Sequence, residues 1–296
     1  MSTGQRSGLP DLPRERPGSG PGGARTGRVP VTPRAPFKTG LPGWVWLPFG
    51  AGLLFLAVPL VGMLGRVPWA RLPALLASPE AVQALGLSLV TCVLATAISA
   101  VLGVPLALAL SRMQGRLAVA IRTLVTVPMV LPPVVAGLAL LATLGRRGLL
   151  GSYLSVLGIQ IGFTTAAVVV AQVFVAMPFL VISLEGALRA DSGDYGAVAA
   201  NLGASPTRVL WRVTLPMALP ALTSGAALTF ARALGEFGAT LTFAGSLAGT
   251  TRTLPLLVYL QREQDPDLAL ALALVLVLVA LAVVAVSARF NRTVAP

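Results

Sequence analysis

Arg232 and Glu236 stand four residues apart in the stretch TFARALGEFGATLTFAG, residues 229–245. That interval puts both on one face of a helix, where a guanidinium and a carboxylate can pair. Their neighbours are apolar or small, so both charges fall inside a run suited to a lipid bilayer. Ionisable groups there are costly and usually face a bundle interior or a water-filled path. Two roles suit the pair. It is a strut that fixes one helix against its neighbours, or it is a positive charge beside an anion route, held in position by its acid. Thr240 and Thr242, with Gly235, Gly238 and Gly245, allow close helix packing or line a polar path. Upstream, Pro128, Pro132 and Pro133 remove backbone donors and predict a kinked or broken helix. Such breaks recur where transport routes cross membranes.

Other chemistry is excluded by what the chain lacks. It has no histidine and a single cysteine, Cys92, inside an apolar run. No disulfide, His/Cys metal site or His-dependent catalysis is available within one chain. The lone lysine, Lys38, is not preceded by the glycines of a phosphate-binding loop, since Thr32 and Phe37 occupy their places. If nucleotide energy drives this protein, the ATPase is another chain. Glu236 is an isolated intramembrane acid without a metal-ligand cluster or a nucleophile–base pair, so no catalytic, cofactor-binding or metal-binding residue is expected.

The elements that must position these residues are long apolar helices. Apolar residues make up 55% of the 296, charged residues 11%, and the mean hydropathy is +0.84. Six runs are long enough for a hydrocarbon layer about 30 Å thick: roughly 44–64, 86–110, 119–143, 162–184, 217–244 and 268–288. The fold class is therefore an all-α integral membrane protein of about six transmembrane helices. Residues 1–40, rich in Pro, Gly and Arg, are expected to be a disordered tail and not a signal peptide.

The net charge of +12 does not point to nucleic acid, because its distribution follows the membrane. Fifteen Lys and Arg fall on the side holding the tail, 112–122, 189–212 and the residues after 288. Six fall on the other side: Arg66, Arg71, Arg146, Arg147, Arg252 and Arg262. The positive-inside rule then puts both termini in the cytoplasm. Arg146 and Arg147, between Gly145 and Gly148, form an external basic turn that attracts anions or an acidic partner, or is simply solvated.

On the cytoplasmic side lies a polar interruption, residues 191–216. It reads as two short amphipathic helices hinged at a glycine. Tyr195, Val198, Ala199 and Leu202 make one apolar face. Gly203 suits a C-terminal cap, and Ser205 caps a second helix starting at Pro206. Val209, Leu210 and Val213 form the apolar side of that helix. A hairpin of this kind outside the bilayer is a docking device.

The spacing from Gly203 across nine residues to Val213-Thr214-Leu215-Pro216 resembles the cytoplasmic EAA loop of ABC importer permeases. Ala197 stands where that family has Glu, followed by Val198 and Ala199. Residues 127–151 (VPMVLPPVVAGLALLATLGRRGLLG), 230–245 and 250–260 (TTRTLPLLVYL) look like the permease of molybdate importers. The likeness runs from about Gly86 to the C-terminus. It implies the type I importer permease fold and a multi-pass protein of the bacterial inner membrane. It also implies a homodimer forming the translocation route, a separate pair of ATPase subunits carrying ATP and Mg, and an external molybdate-binding protein. Tyr195, Ala197, Val198, Ala199, Leu202, Gly203, Val213, Leu215 and Pro216 would then couple to the ATPase. Arg232, Glu236, Thr240, Pro132 and Pro133 are candidates for the route or its gate. Permeases for tungstate or sulfate share most of this pattern. A secondary transporter would share the spans but would not need the hairpin.

Overall fold

The computed structural model describes residues 41–190 and 194–294. The tail 1–40 and residues 191–193 of the expected hairpin lie outside the described residues. The contacts divide the chain at Gly52–Leu53. The first unit, as described, is a 3-10 turn at Gly43–Val45 and the start of α1 (Trp46–Arg66), where Trp46 and Phe49 pack edge to face at 5.4 Å.

The second unit holds the rest of α1 and all other elements. α1 buries none of its residues, as suits an apolar helix whose surroundings are lipid or another chain. A short α2 (Leu72–Leu76) leads to α3 (Pro79–Arg112), which starts earlier than the apolar run because Ser78 caps it and Pro79 fits its first turn. Its buried residues include Ala81, Ala84, Ser88, Cys92, Ala95, Ser99, Gly103 and Ala107. They recur every three or four positions, and their small size lets the helix axis come close to its neighbours.

α7 (Thr165–Ala190) is the central element and packs against α3 and against α10 (Leu215–Leu234). Its buried Val169 and Ala176, and further along Val181 and Leu184, pack with residues of both helices in two clusters, while Ala167, Ala171 and Val175 pack in a third with Ala136, Ala239 and Phe243. α13 (Pro266–Val294) closes over α10 and over the short α12 (Leu254–Gln264).

Two of the expected spans are broken, the first as its prolines predict and the second against expectation. The run 119–143 divides into α4 (Gly115–Val130) and α5 (Pro133–Leu144), bent by 114°. The break lies at Leu131-Pro132. Pro128 stays inside α4, and the Leu131 N–H still reaches the Val127 carbonyl at 3.0 Å. The run 217–244 also fails as one helix: α10 stops at Leu234, and α11 (Gly238–Ala244) begins after three residues. Among the described residues five helices are long and apolar enough to cross a bilayer, six if α4 and α5 form one bent span.

Candidate functional site

Glu236 sits in the gap between α10 and α11, not on a helix face as its spacing from Arg232 suggested. Gly235 ends α10, and the Glu236 N–H closes a last turn onto the Ala233 carbonyl at 3.1 Å. Arg232, in the last turn of α10, still reaches it: Nη1 lies 2.7 Å from Oε2. The other carboxylate oxygen, Oε1, accepts the Ala239 N–H of α11 at 2.8 Å. One side chain thus joins the end of one helix to the start of the next. Each charge suits its terminus, a cation near the carbonyl end and an anion near the amide end. The environment is uneven: the side chain of Glu236 is 1% exposed, that of Arg232 27%. The acid is anchored while the guanidinium keeps a face open.

The two broken spans meet at their breaks. A Cβ on Gly238 would stand 2.6 Å from the Pro133 Cβ, and one on Gly137 would strike the Thr242 hydroxyl and lie 2.9 Å from the Ala239 Cα. α5 and α11 can therefore lie this close only because both faces carry glycine. Pro132 and Pro133 are exposed on this junction, whereas Thr240 is fully buried with no partner for its hydroxyl. Within this single chain Thr240 lines no open surface. Its side chain turns into the packing of α11 against its neighbours.

Sequence reading missed two polar groups that support this region. Gln172 of α7 is 1% exposed and donates from Nε2 to the Ala233 carbonyl at 3.3 Å. It meets a carbonyl next to the break in α10. Its signal was a lone amide within VVVAQVFVAM, since a polar residue deep in an apolar run needs a partner. Glu185, also on α7 and 5% exposed, accepts from Arg122 of α4 and Arg189 of α7. Arg189 further donates to the carbonyls of Leu110 and Met113 at the end of α3. Those contacts fasten three helices together at one end of the bundle.

The hairpin adjoins that fastening. α8 (Asp194–Asn201) ends in a Schellman cap: the Gly203 N–H bonds the Ala200 carbonyl at 2.9 Å and the Ala204 N–H the Ala199 carbonyl at 3.0 Å. Gly203 takes φ +83°, open to glycine at little cost. Ser205 Oγ accepts the Arg208 N–H at 3.4 Å and starts α9 (Pro206–Val209). The second arm is not a separate short helix, however. α9 passes through a π turn at Leu210–Thr214 directly into α10. The π turn lets the chain continue helically with one wider turn, so no loop is needed.

The hairpin has two apolar sides. Val209 is buried against Gly196, and Val213 is half-buried. Ser111, Arg112, Leu188, Ala200 and Val209 share a cavity of about 470 Å³ beneath it. Val198, Leu202 and Trp211 face outwards, with Leu202 83% exposed, and the exposed Tyr195 also borders the cavity. Ala199 and Leu215 are half-buried, and Pro216 is exposed. The side chain of Ala197 lies outside the described residues.

Residues 99–296 match the family described as "Binding-protein-dependent transport system inner membrane component". The molybdenum transport system permease protein ModB of Mycobacterium tuberculosis is 58% identical over 228 residues, covering 77% of this chain and 86% of the relative. The sulfate transport system permease protein CysT of Escherichia coli is 31% identical over 231 residues, covering 76% and 83%. Among solved structures, a bacterial alginate ABC transporter superposes with a TM-score of 0.66 at 18% identity, over 85% of this chain and 93% of that one. The MetNI methionine ABC transporter in an inward-facing conformation gives 0.58 at 19%, over 73% and 96%. At such identities the structures speak for the fold alone, and that fold is the bundle with broken spans described above. The chain belongs to the binding-protein-dependent transport system inner membrane components, the permeases of ABC importers.

Proposed function

We propose that this protein is the membrane permease of an ATP-driven molybdate importer, working as a homodimer with a separate ATPase pair and an external binding protein. The observation that carries the substrate is the 58% identity with a molybdenum permease, against 31% for a sulfate permease at similar coverage. The geometry agrees with an anion as cargo. Arg232 keeps an open face at the junction of two broken spans, while its acid is turned inwards onto α11. The hairpin supplies the uncovered apolar surface that an ATPase subunit would occupy, and both termini are assigned to its side of the membrane.

Uptake of radiolabelled molybdate into vesicles holding this protein, its ATPase and its binding protein tests the reading. Uptake should require ATP on the hairpin side and should resist competition by sulfate. Full uptake without the ATPase subunit would mean a secondary transporter. Equal competition by sulfate would mean a general oxyanion permease.

A further inference from the structure

Away from the ion pair and the hairpin, one concave surface carries unpartnered charge. A cavity of about 340 Å³ is lined by Leu144, Arg146, Arg147, Ser155, Gln160 and Phe163 among others, with no carboxylate in its wall. Among the described residues neither Arg146 nor Arg147 has a hydrogen-bond or ion-pair partner. The turn beneath them is nevertheless fixed. The Gly148 N–H reaches the Gly145 carbonyl at 2.7 Å, Leu149 that of Ala142 at 3.0 Å, and Leu150 that of Thr143 at 2.8 Å. A Cβ on Gly151 would collide with the Gly145 carbonyl oxygen, so the following short helix α6 (Gly151–Val156) is held hard against the turn.

The far wall is Phe163, at φ +62°, a conformation side-chain-bearing residues seldom take. Its ring lies against Gly245, where a Cβ would come within 3.1 Å. The cavity therefore touches the outer ends of α5 and α11, the two helices whose inner ends meet at Pro133 and Gly238. The Ser155 hydroxyl is spent on the Ser152 carbonyl at 2.7 Å. The free donors are the two guanidiniums and the Gln160 amide.

We propose that Arg146 and Arg147 form a capture site for a tetrahedral oxyanion at the outer mouth of the permease, which rests on the oxyanion-import reading above. Two guanidiniums on a rigid turn match the charge of a dianion and present forked donors to its oxygens. Both are exposed, so binding is weak and salt-sensitive, as a site that must release its cargo requires. A phospholipid headgroup carries the same phosphate-type oxygens, and Tyr153, Val156 and Leu157 are exposed beside the turn. The test has to separate the two sources.

The measurement is arginine modification by phenylglyoxal, read by mass spectrometry on the full chain purified with its ATPase. It is run in uncharged detergent and in nanodiscs of phosphatidylcholine or phosphatidylglycerol. Tungstate should slow labelling of Arg146 and Arg147 about tenfold relative to chloride at equal ionic strength, leaving exposed Arg66 unchanged. R146Q should reduce protection of Arg147 by about tenfold, and R147Q that of Arg146. Equal labelling in tungstate and chloride would overturn the site. So would protection by phosphatidylglycerol that tungstate does not increase, which would assign the turn to lipid. The readout needs no transport, so a permease that fails to import molybdate yet shows protection would lose the import reading and not the site.

Discussion

Arg122 of α4 places Nη2 2.7 Å from Oε1 of Glu185 on α7, and the same oxygen accepts from Arg189 Nε at 2.9 Å. A single buried oxygen thus holds two cations, and through Arg189 it also holds the last carbonyls of α3. The ends of α3 and α7, joined to the middle of α4, stand directly beside the hairpin.

Replacing that acid should loosen the joint. Glu185→Gln is expected to cost about 1–3 kcal/mol, less than a fully buried pair, because both guanidiniums keep access to water. Thermal unfolding in detergent should show the loss, with Glu185→Asp recovering part of it. An unchanged midpoint for Glu185→Gln would mean the oxygen carries no weight in the joint.

At the break between α10 and α11, Arg232→Ala leaves the Glu236 carboxylate buried without its cation, a change expected to cost about 3–5 kcal/mol. Arg232→Ala with Glu236→Gln removes both charges and should recover much of that stability. The strut and the route then separate. A double variant that melts like the wild type and also imports normally would assign the pair to structure alone; one that melts normally and imports poorly assigns Arg232 to the route.

Leu202→Asp puts a charge on the exposed apolar face of α8. It should leave the fold intact, since Leu202 buries little here, and abolish co-purification of an ATPase subunit. Gly203→Asp forces a side chain into φ +83° and should lower stability by about 1 kcal/mol as well. Retained co-purification in Leu202→Asp would move the contact elsewhere.

Gly238→Val tests the close approach of α5 and α11. Its side chain would overlap Pro133, so a loss of about 1–3 kcal/mol or a shifted α5 is expected. Size-exclusion profile and melting temperature together report it. The neighbouring Gly235, which meets no atom closer than 3.7 Å, should accept Ala with little change.

The proline break between α4 and α5 was legible because two successive prolines leave the helix no way to continue. The break after Leu234 was not. A single glycine is tolerated inside helices, and the four-residue interval of Arg232 and Glu236 mimicked a helical pair. What decides it is the carboxylate itself, which caps α11 from outside. The hairpin's outer face at Tyr195, Val198 and Leu202 was readable from its period, as was the cap at Gly203. The fusion of α9 to α10 was hidden, because a π turn has no composition of its own. Gln172 and Glu185 escaped notice because apolar runs drew attention to their length and not to their exceptions.

The unbroken path from Pro206 to Leu234 has a mechanical meaning. It is 29 residues long, about 43 Å at 1.5 Å per residue. One end abuts the hairpin and the other carries Arg232. A rod of that kind conveys torque as well as thrust, and its softest point is the wide turn at Leu210–Thr214. Drawing that turn into α geometry would swing the guanidinium about the rod's axis by roughly 100°. A signal at the membrane's inner face could then be delivered as rotation of a single charge.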